Sequence, residues 1–236
     1  MHQLRDWIAH SEYLVFFGGA GVSTESGIPD FRSVDGLYHQ SYDVPPETIL
    51  SRSFFQQDPD TFYRFYREKL VCTGAAPNAA HLALARWEEQ GKLKAVITQN
   101  IDELHQQAGS RTVLELHGSI RRFLCAACGA PHPEQKVQEG SGVPRCTRCE
   151  GVVRPDIVLY EEGLNQQVVE QALRHIRKAD VLIVGGTSLT VYPAAGFLHD
   201  YRGNQLVLIN RDPTPFDSRA NLVIHDSIGK VLGALS

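Results

Sequence analysis

No stretch of the chain approaches the roughly 20 consecutive apolar residues that a membrane-spanning helix needs. The N-terminal segment MHQLRDWIAHSEYLVFF carries Arg5, Asp6 and Glu12 and lacks the unbroken apolar run of a signal peptide. Charge of one sign is scarce too. A net charge of -4 supplies no bulk attraction to nucleic acid or to anionic membranes. Internal repeats and low-complexity tracts are missing. These absences leave a cytoplasmic globular protein as the expectation, with no direct nucleic-acid partner and no membrane contact. With 42% hydrophobic and 21% charged residues, the 236 residues suffice for one sizeable core, or for one core with a smaller satellite domain.

Cysteine is sparse but ordered. Of the five, Cys125, Cys128, Cys146 and Cys149 form two C-x2-C pairs separated by 17 residues. In a reducing compartment such pairs do not form a disulfide framework. Each pair makes a tight turn whose sulfurs converge, and four thiolates close a tetrahedron around one structural zinc. Cys72 stands apart and reads as a small apolar residue. His117 lies close to the first pair, in LELHGSIRRFLCAAC, and imidazole also ligates zinc. Four cysteines already complete the shell, so zinc does not need it.

Short β-branched runs recur at 13–17, 94–98, 112–116, 156–160, 180–184 and 205–209, with helical patterns between them. Near-continuous apolarity marks strands covered on both faces, and alternation with helices implies a doubly wound α/β fold. NAAHLALARWEEQG opens on a capping Asn78 and stops at Gly91; NQQVVEQALRHIRKAD carries one apolar stripe. Residues 36–76 show aromatic-rich helical patterning without a strand, and 121–153 hold the cysteines in a stretch too polar for a core of its own. The expected division is therefore a Rossmann-like parallel-sheet domain from 1–35, 77–120 and 154–236, beside a smaller domain of a helical module (36–76) and a zinc ribbon (121–153).

After the first strand comes GGAGVSTESGIPDFRS. Its glycines permit a tight turn and let a phosphate approach backbone N–H groups at a helix start. Yet G-x-G-x-x-G fails, since Thr24 holds the third place, and no acid closes a second strand about 20 residues on. A hydride-transfer enzyme and a Walker P-loop are both disfavoured, and a glycine-rich turn alone needs no ligand. The Pro, Gly and Ser of residues 23–37 suggest a lid. TQNID, GGTS, the Ile209–Asn210 pair and His117 each follow a strand, so all fall at one edge of one sheet, where α/β folds bind ligands.

GAGVSTESGIPDFRS, TQNID, LHGS, the paired C-x2-C, GTSLTVYPA and the Ile209–Asn210 pair occur in an order that resembles the sirtuins, NAD-dependent protein deacylases. The resemblance runs from about Tyr13 to Asp226, and the compact length is similar to bacterial members of the undifferentiated class. It implies NAD as co-substrate, one structural zinc, and acetyl-lysine-containing proteins or peptides as partners. It also implies that Ala20, Thr24, Phe31 and Arg32 line the ADP-ribose and nicotinamide side, and that Gln99, Ile101 and Asp102 hold the nicotinamide and its ribose. Thr187, Ser188, Asn210 and Asp226 would sit near the adenosine half. His117 would be the base, with Asn100 and Asp102 as further catalytic candidates. The products would be lysine, nicotinamide and O-acetyl-ADP-ribose.

Two departures stand out. The family's usual Phe-Phe-Gly-Glu reads Leu159-Tyr160-Glu161-Glu162 here, in the segment that pairs with the substrate peptide. Members that remove succinyl or malonyl groups carry Tyr-x-x-Arg in the helical module, whereas here Tyr63 is followed by Tyr66. A carboxylate buried without a partner is costly, so acetyl or another neutral acyl group is expected. Two rivals remain at this point: mono-ADP-ribosyl transfer from the same NAD cleavage, and a non-catalytic zinc ribbon that binds nucleic acid or protein through Arg121, Arg122, Arg145 and Arg148.

Overall fold

The computed structural model describes residues 1–31, 36, 43–72, 74–138 and 140–235. Nine strands are present among them: β1 (Leu14–Gly18), β2 (Leu93–Thr98), β3 (Val113–Glu115), β4 (Gly118–Cys125), β5 (Pro131–His132), β6 (Val153–Ile157), β7 (Val181–Gly185), β8 (Gln205–Ile209) and β9 (Leu222–Ile224). The helices are α1 (His2–His10), α2 (Pro46–Ile49), α3 (Arg52–Gln57), α4 (Pro59–Phe65), α5 (Ala79–Glu89), α6 (Leu104–Gln107), α7 (Glu134–Gln138), α8 (Gln166–Lys178) and α9 (Ile228–Gly233). Among the described residues no helix is long and apolar enough to cross a membrane.

Six strands form one parallel sheet in the order β3-β2-β1-β7-β8-β9. Every residue of β1 is buried, because a parallel strand is covered on both faces. Leu14 and Phe16 pack on one side with α1, α5 and α9; Val15 and Phe17 pack on the other with α8 and the 194–200 turn. This is the expected doubly wound, Rossmann-like sheet. Asn78 caps α5 as its sequence suggested: its Oδ1 accepts from Ala80 N at 2.9 Å, while His81 Nδ1 accepts from Asn78 N at 3.2 Å.

A second sheet, β5-β4-β6, is antiparallel and carries the cysteines. It shares one core with α3, α4 and the π-helical turn Tyr66–Leu70: Phe55, Phe62, Tyr63 and Tyr66 meet Phe123, Val137 and Val153. Ile120, Ile157 and Leu159 join that core as well. The expectation that residues 156–160 form a strand of the parallel sheet is not met. Only Asp156 and Ile157 are in a strand, the end of β6 in the cysteine sheet, and the burial of β6 alternates: Val153, Pro155 and Ile157 are buried, Arg154 and Asp156 less so. A period of two marks a strand with one dry face. The three-residue β9 is too short to announce itself by pattern.

Candidate functional site

The central strands end level with one another. Gly18 stands opposite both Thr98 and Gly185, and Gly185 opposite Ile209. The segments that follow, starting at residues 19, 99, 186 and 210, therefore emerge side by side. The chain leaves β1 for β2 on one flank, while β7 lies on the other, so a crevice opens at the point where strand order reverses. Glycine is required where two of these segments cross. Gly21 N donates to Gly186 O at 2.8 Å, and a Cβ on Gly186 would lie 2.4 Å from Val22 N. The glycine segment does not open a helix, contrary to the sequence expectation. It forms two 3₁₀ turns, Ala20–Val22 and Thr24–Ser26, because Gly27 at φ 82 ends the second turn after three residues.

The crevice is a cavity of about 620 Å³. Ala20, Thr24, Phe31, Gln99, Asn100, Ile101, Asp102, His117, Thr187, Ser188, Asn210 and Asp226 all line it. Arg32, with residues 33–35 and 37 of the expected lid, falls outside the described residues. Within the wall, Gln99 Nε2 donates to Thr187 Oγ1 at 3.1 Å, joining the β2 and β7 edges. Asn210 Nδ2 donates to Asp212 O at 2.7 Å. Lys230 at 2.6 Å, together with the Ser227 N–H, holds the Asp226 carboxyl below the usual carboxylate range.

The polar floor is a closed network. Buried Ser23 donates to Asp102 Oδ2 at 2.6 Å and accepts from Asn100 Nδ2 at 3.0 Å. Leu104 N donates to Asp102 Oδ1 at 3.0 Å. Asn100 and Asp102 are thus oriented by a hydroxyl that has no separate signal in the sequence beyond its place in GVST, since its partners come from a distant strand end. His117 Nδ1 lies 2.9 Å from the Gln99 carbonyl oxygen. A carbonyl only accepts, so Nδ1 carries the proton and Nε2 keeps its lone pair. Burial pushes the His117 pKa below 6.5, with the Gln99 carbonyl opposing. The side chain is neutral near pH 7 and able to accept a proton.

The four cysteines meet as their spacing predicts. Their sulfurs all lie within 4.8 Å of one another, with Cys125 Sγ 3.5 Å from Cys149 Sγ and Cys128 Sγ 3.7 Å from Cys146 Sγ. Four sulfurs about 2.3 Å from one zinc stand about 3.8 Å apart, so the group fits a tetrahedral ion. Backbone N–H groups of Cys128 and Ala127 point at the Cys125 sulfur and favour its thiolate, the form that a metal binds. Gly151 leaves the space: a Cβ there would lie 3.1 Å from Cys125 Sγ. His117 is not part of this group.

The segment 159–162 forms another wall of the cavity. Tyr160 N donates to Leu50 O at 2.9 Å and Arg52 N to Tyr160 O at 3.1 Å, a parallel bridge to the helical module. Glu161 adopts φ 73, a left-handed conformation that costs a non-glycine residue about 1–2 kcal/mol. Its carboxylate offsets that cost by accepting from Ser53 N at 2.9 Å and Ser53 Oγ at 2.8 Å. Glu162 accepts from both terminal nitrogens of Arg154, at 2.6 Å and 2.9 Å.

Tyr63 and Tyr66, in contrast, are absent from the cavity wall. Both are fully buried in the small-lobe core, donating to Val153 O at 2.5 Å and Ile120 O at 2.9 Å, because positions three apart share one helix face. Position 66 therefore presents no charged group to the cavity wall. The module contributes Lys69, Leu70, Val71 and Cys72 instead, so Cys72 faces the cavity rather than filling a core; burial pushes its thiol up.

The sequence profile of the Sir2 family matches residues 19–193. A Clostridium perfringens protein named NAD-dependent protein deacetylase is 55% identical over 236 residues, covering 99% of this chain and 97% of its own. A solved structure described as Sir2 with a p53 peptide and NAD superposes with a TM-score of 0.89 at 39% identity, covering 100% of this chain and 96% of the other. A Sir2 homologue in complex with NAD gives a TM-score of 0.90 at 39% identity, over 100% and 92% of the two chains.

Proposed function

The chain belongs to the Sir2 family, and from that premise we propose that it is an NAD-dependent protein lysine deacetylase, converting acetyl-lysine, NAD and water to lysine, nicotinamide and O-acetyl-ADP-ribose. One observation carries the reading: His117, with a free Nε2, and the Ser23–Asn100–Asp102 network open onto the same crevice at the strand-order reversal.

Nicotinamide departs as a good leaving group, so a weak nucleophile, the acyl-lysine carbonyl oxygen, suffices at the ribose anomeric carbon. Holding the two in line replaces a bimolecular encounter. Asn100 and Asp102 hold the nicotinamide ribose, with Gln99 and Ile101 beside them. His117 Nε2 then takes the proton of a ribose hydroxyl, freeing that oxygen to attack the acyl carbon; the acyl C–N bond breaks to release the lysine amine, and water adds to give O-acetyl-ADP-ribose. Ala20, Thr24, Phe31 and Arg32 flank the diphosphate and nicotinamide side; Thr187, Ser188, Asn210 and Asp226 flank the adenosine. Zinc on Cys125, Cys128, Cys146 and Cys149 serves the fold. On this reading residues 1–35, 77–120 and 154–236 carry the cofactor, 36–76 and 121–153 form the smaller lobe, whose sheet extends into 118–120 and 154–157 at the junctions, and a reducing, cytoplasmic setting suits the four thiolates. Acetyl is the acyl group of choice because Leu70, Val71 and Ile120 make an apolar stretch of wall.

Incubation with NAD and an acetyl-lysine peptide tests the proposal. Nicotinamide release matched by deacetylated peptide supports it, ADP-ribose-labelled protein would favour mono-ADP-ribosyl transfer, and inert NAD would sink both. Lys69 and Arg121 line the same cavity, so faster turnover of succinyl-lysine would overturn the preference for a neutral acyl group.

A further inference from the structure

Beside the Asn100–Asp102 segment lies a charge cluster that the reaction above does not use. Arg122, on β4, reaches carboxylates from three separate segments. It donates to Glu115 Oε2 at 2.6 Å and to Asp156 Oδ2 at 3.2 Å, and lies 3.5 Å from Glu103 Oε1. Glu103 directly follows Asp102, Glu115 stands two residues before His117, and Asp156 is on β6 in the cysteine sheet. The β4–β6 register shifts between Ser119 and Phe123, and within that irregular stretch Ile120 N donates to Ile101 O at 3.0 Å.

Two further features mark the cluster as more than surface charge. Glu103 holds a left-handed φ of 61, with its carboxylate accepting the buried Ser119 hydroxyl. Such strain persists only where surroundings over-determine it. The Glu115 side chain is only 10% exposed and also accepts Gln106 Nε2 at 2.7 Å, tying β3 to α6. Exposed ion pairs contribute little, and the Asp156 contact is of that kind. Glu115 differs, because losing Arg122 would leave an enclosed carboxylate without its cation.

We infer that Arg122 is a positioning residue for the deacetylation: it holds segment 100–103 and the His117 strand end in one fixed relation, and links that relation to the cysteine sheet. The inference rests on the function proposed above. Its test compares wild type, Arg122→Gln and Arg122→Lys in steady-state deacetylation, alongside zinc content and thermal unfolding. Arg122→Gln should keep its zinc and its fold and leave both KM values within about twofold, while kcat falls by about tenfold or more, since misplacement of roughly 1 Å costs on the order of 100-fold. Arg122→Lys should recover only part of the loss, because one ammonium cannot span three carboxylates. An unchanged kcat in Arg122→Gln, or a loss that merely tracks the unfolded fraction, overturns the inference. Should that variant fail to fold, Glu115→Gln removes the same pair from the other side and must lower kcat with KM preserved, or the inference fails. Inert wild-type protein would be recognised first and would defeat the proposed function itself.

Discussion

His117 owes its chemistry to the hydrogen bond its other nitrogen makes. With Nδ1–H held by the Gln99 carbonyl, Nε2 is the basic atom, and burial keeps the ring neutral to lower pH than usual. Activity that needs the neutral ring is lost only as pH falls through a value below 6.5, so the acid limb of a kcat/KM profile should have its midpoint below pH 6.5; a midpoint above it would contradict this assignment. His117→Ala should lower kcat by about 10²–10⁴-fold, the usual worth of a general base, and metal analysis should find its zinc unchanged. Loss of zinc in that variant would return the histidine to the metal. At this scale the sequence was informative about residue types and silent about partners. TQNID and LHGS are adjacent to strands in any reading, but the Ser23 hydroxyl meets Asp102 across 79 positions of sequence, and no local pattern announces that.

The elements that flank the cavity differ in how they are held. The segment 159–162 is clamped on the helical module by Glu161 and on β6 by Glu162, so it presents an already ordered edge to the cavity. Glu161→Ala keeps the strained backbone and removes its compensation. It should raise KM for the peptide by roughly tenfold, the worth of one or two hydrogen bonds, with KM for NAD unchanged in the same titrations. The cysteine sheet is held otherwise. Its share of the common core includes Cys125 and Cys146 themselves, so metal and packing are one system. Cys146→Ser should abolish zinc binding and expose the small lobe to limited proteolysis while the parallel sheet resists; a zinc-free variant with intact resistance would refute the dependence.

At the scale of the whole molecule, a buried histidine pair weakens the fold in acid. His81 and His105 pack against each other at 4.7 Å between ring centroids with the ring planes tilted by 60°, both buried, with His81 Nε2 and both His105 nitrogens lacking a hydrogen-bond partner among the described residues. Burial lowers both, His81 to about 4. The unfolded chain binds protons at these rings from pH 6.5 downward while the folded protein does not, so stability is full above 6.5 and drains away toward 4, by on the order of 3 kcal/mol for His81. The urea midpoint should fall steeply between pH 6.5 and 4.5, and His105→Phe should flatten that slope. A midpoint constant over the window would dismiss the pair as its cause.

The doubly wound sheet, its α5 and α8 helices, the cysteine tetrahedron and the ligand edge were all legible in the sequence, because each rests on local spacing: continuous apolar runs, one-face periodicity, a C-x2-C turn, a polar residue after a strand. What the tertiary structure decided is everything that depends on which distant segments meet. β6 went to the cysteine sheet because its alternating face found the aromatic core of α4. Tyr63 and Tyr66 were drawn into that core rather than the cavity, and Arg122 met three acids from three elements. Spacing along a chain specifies what a segment offers; packing determines what receives it.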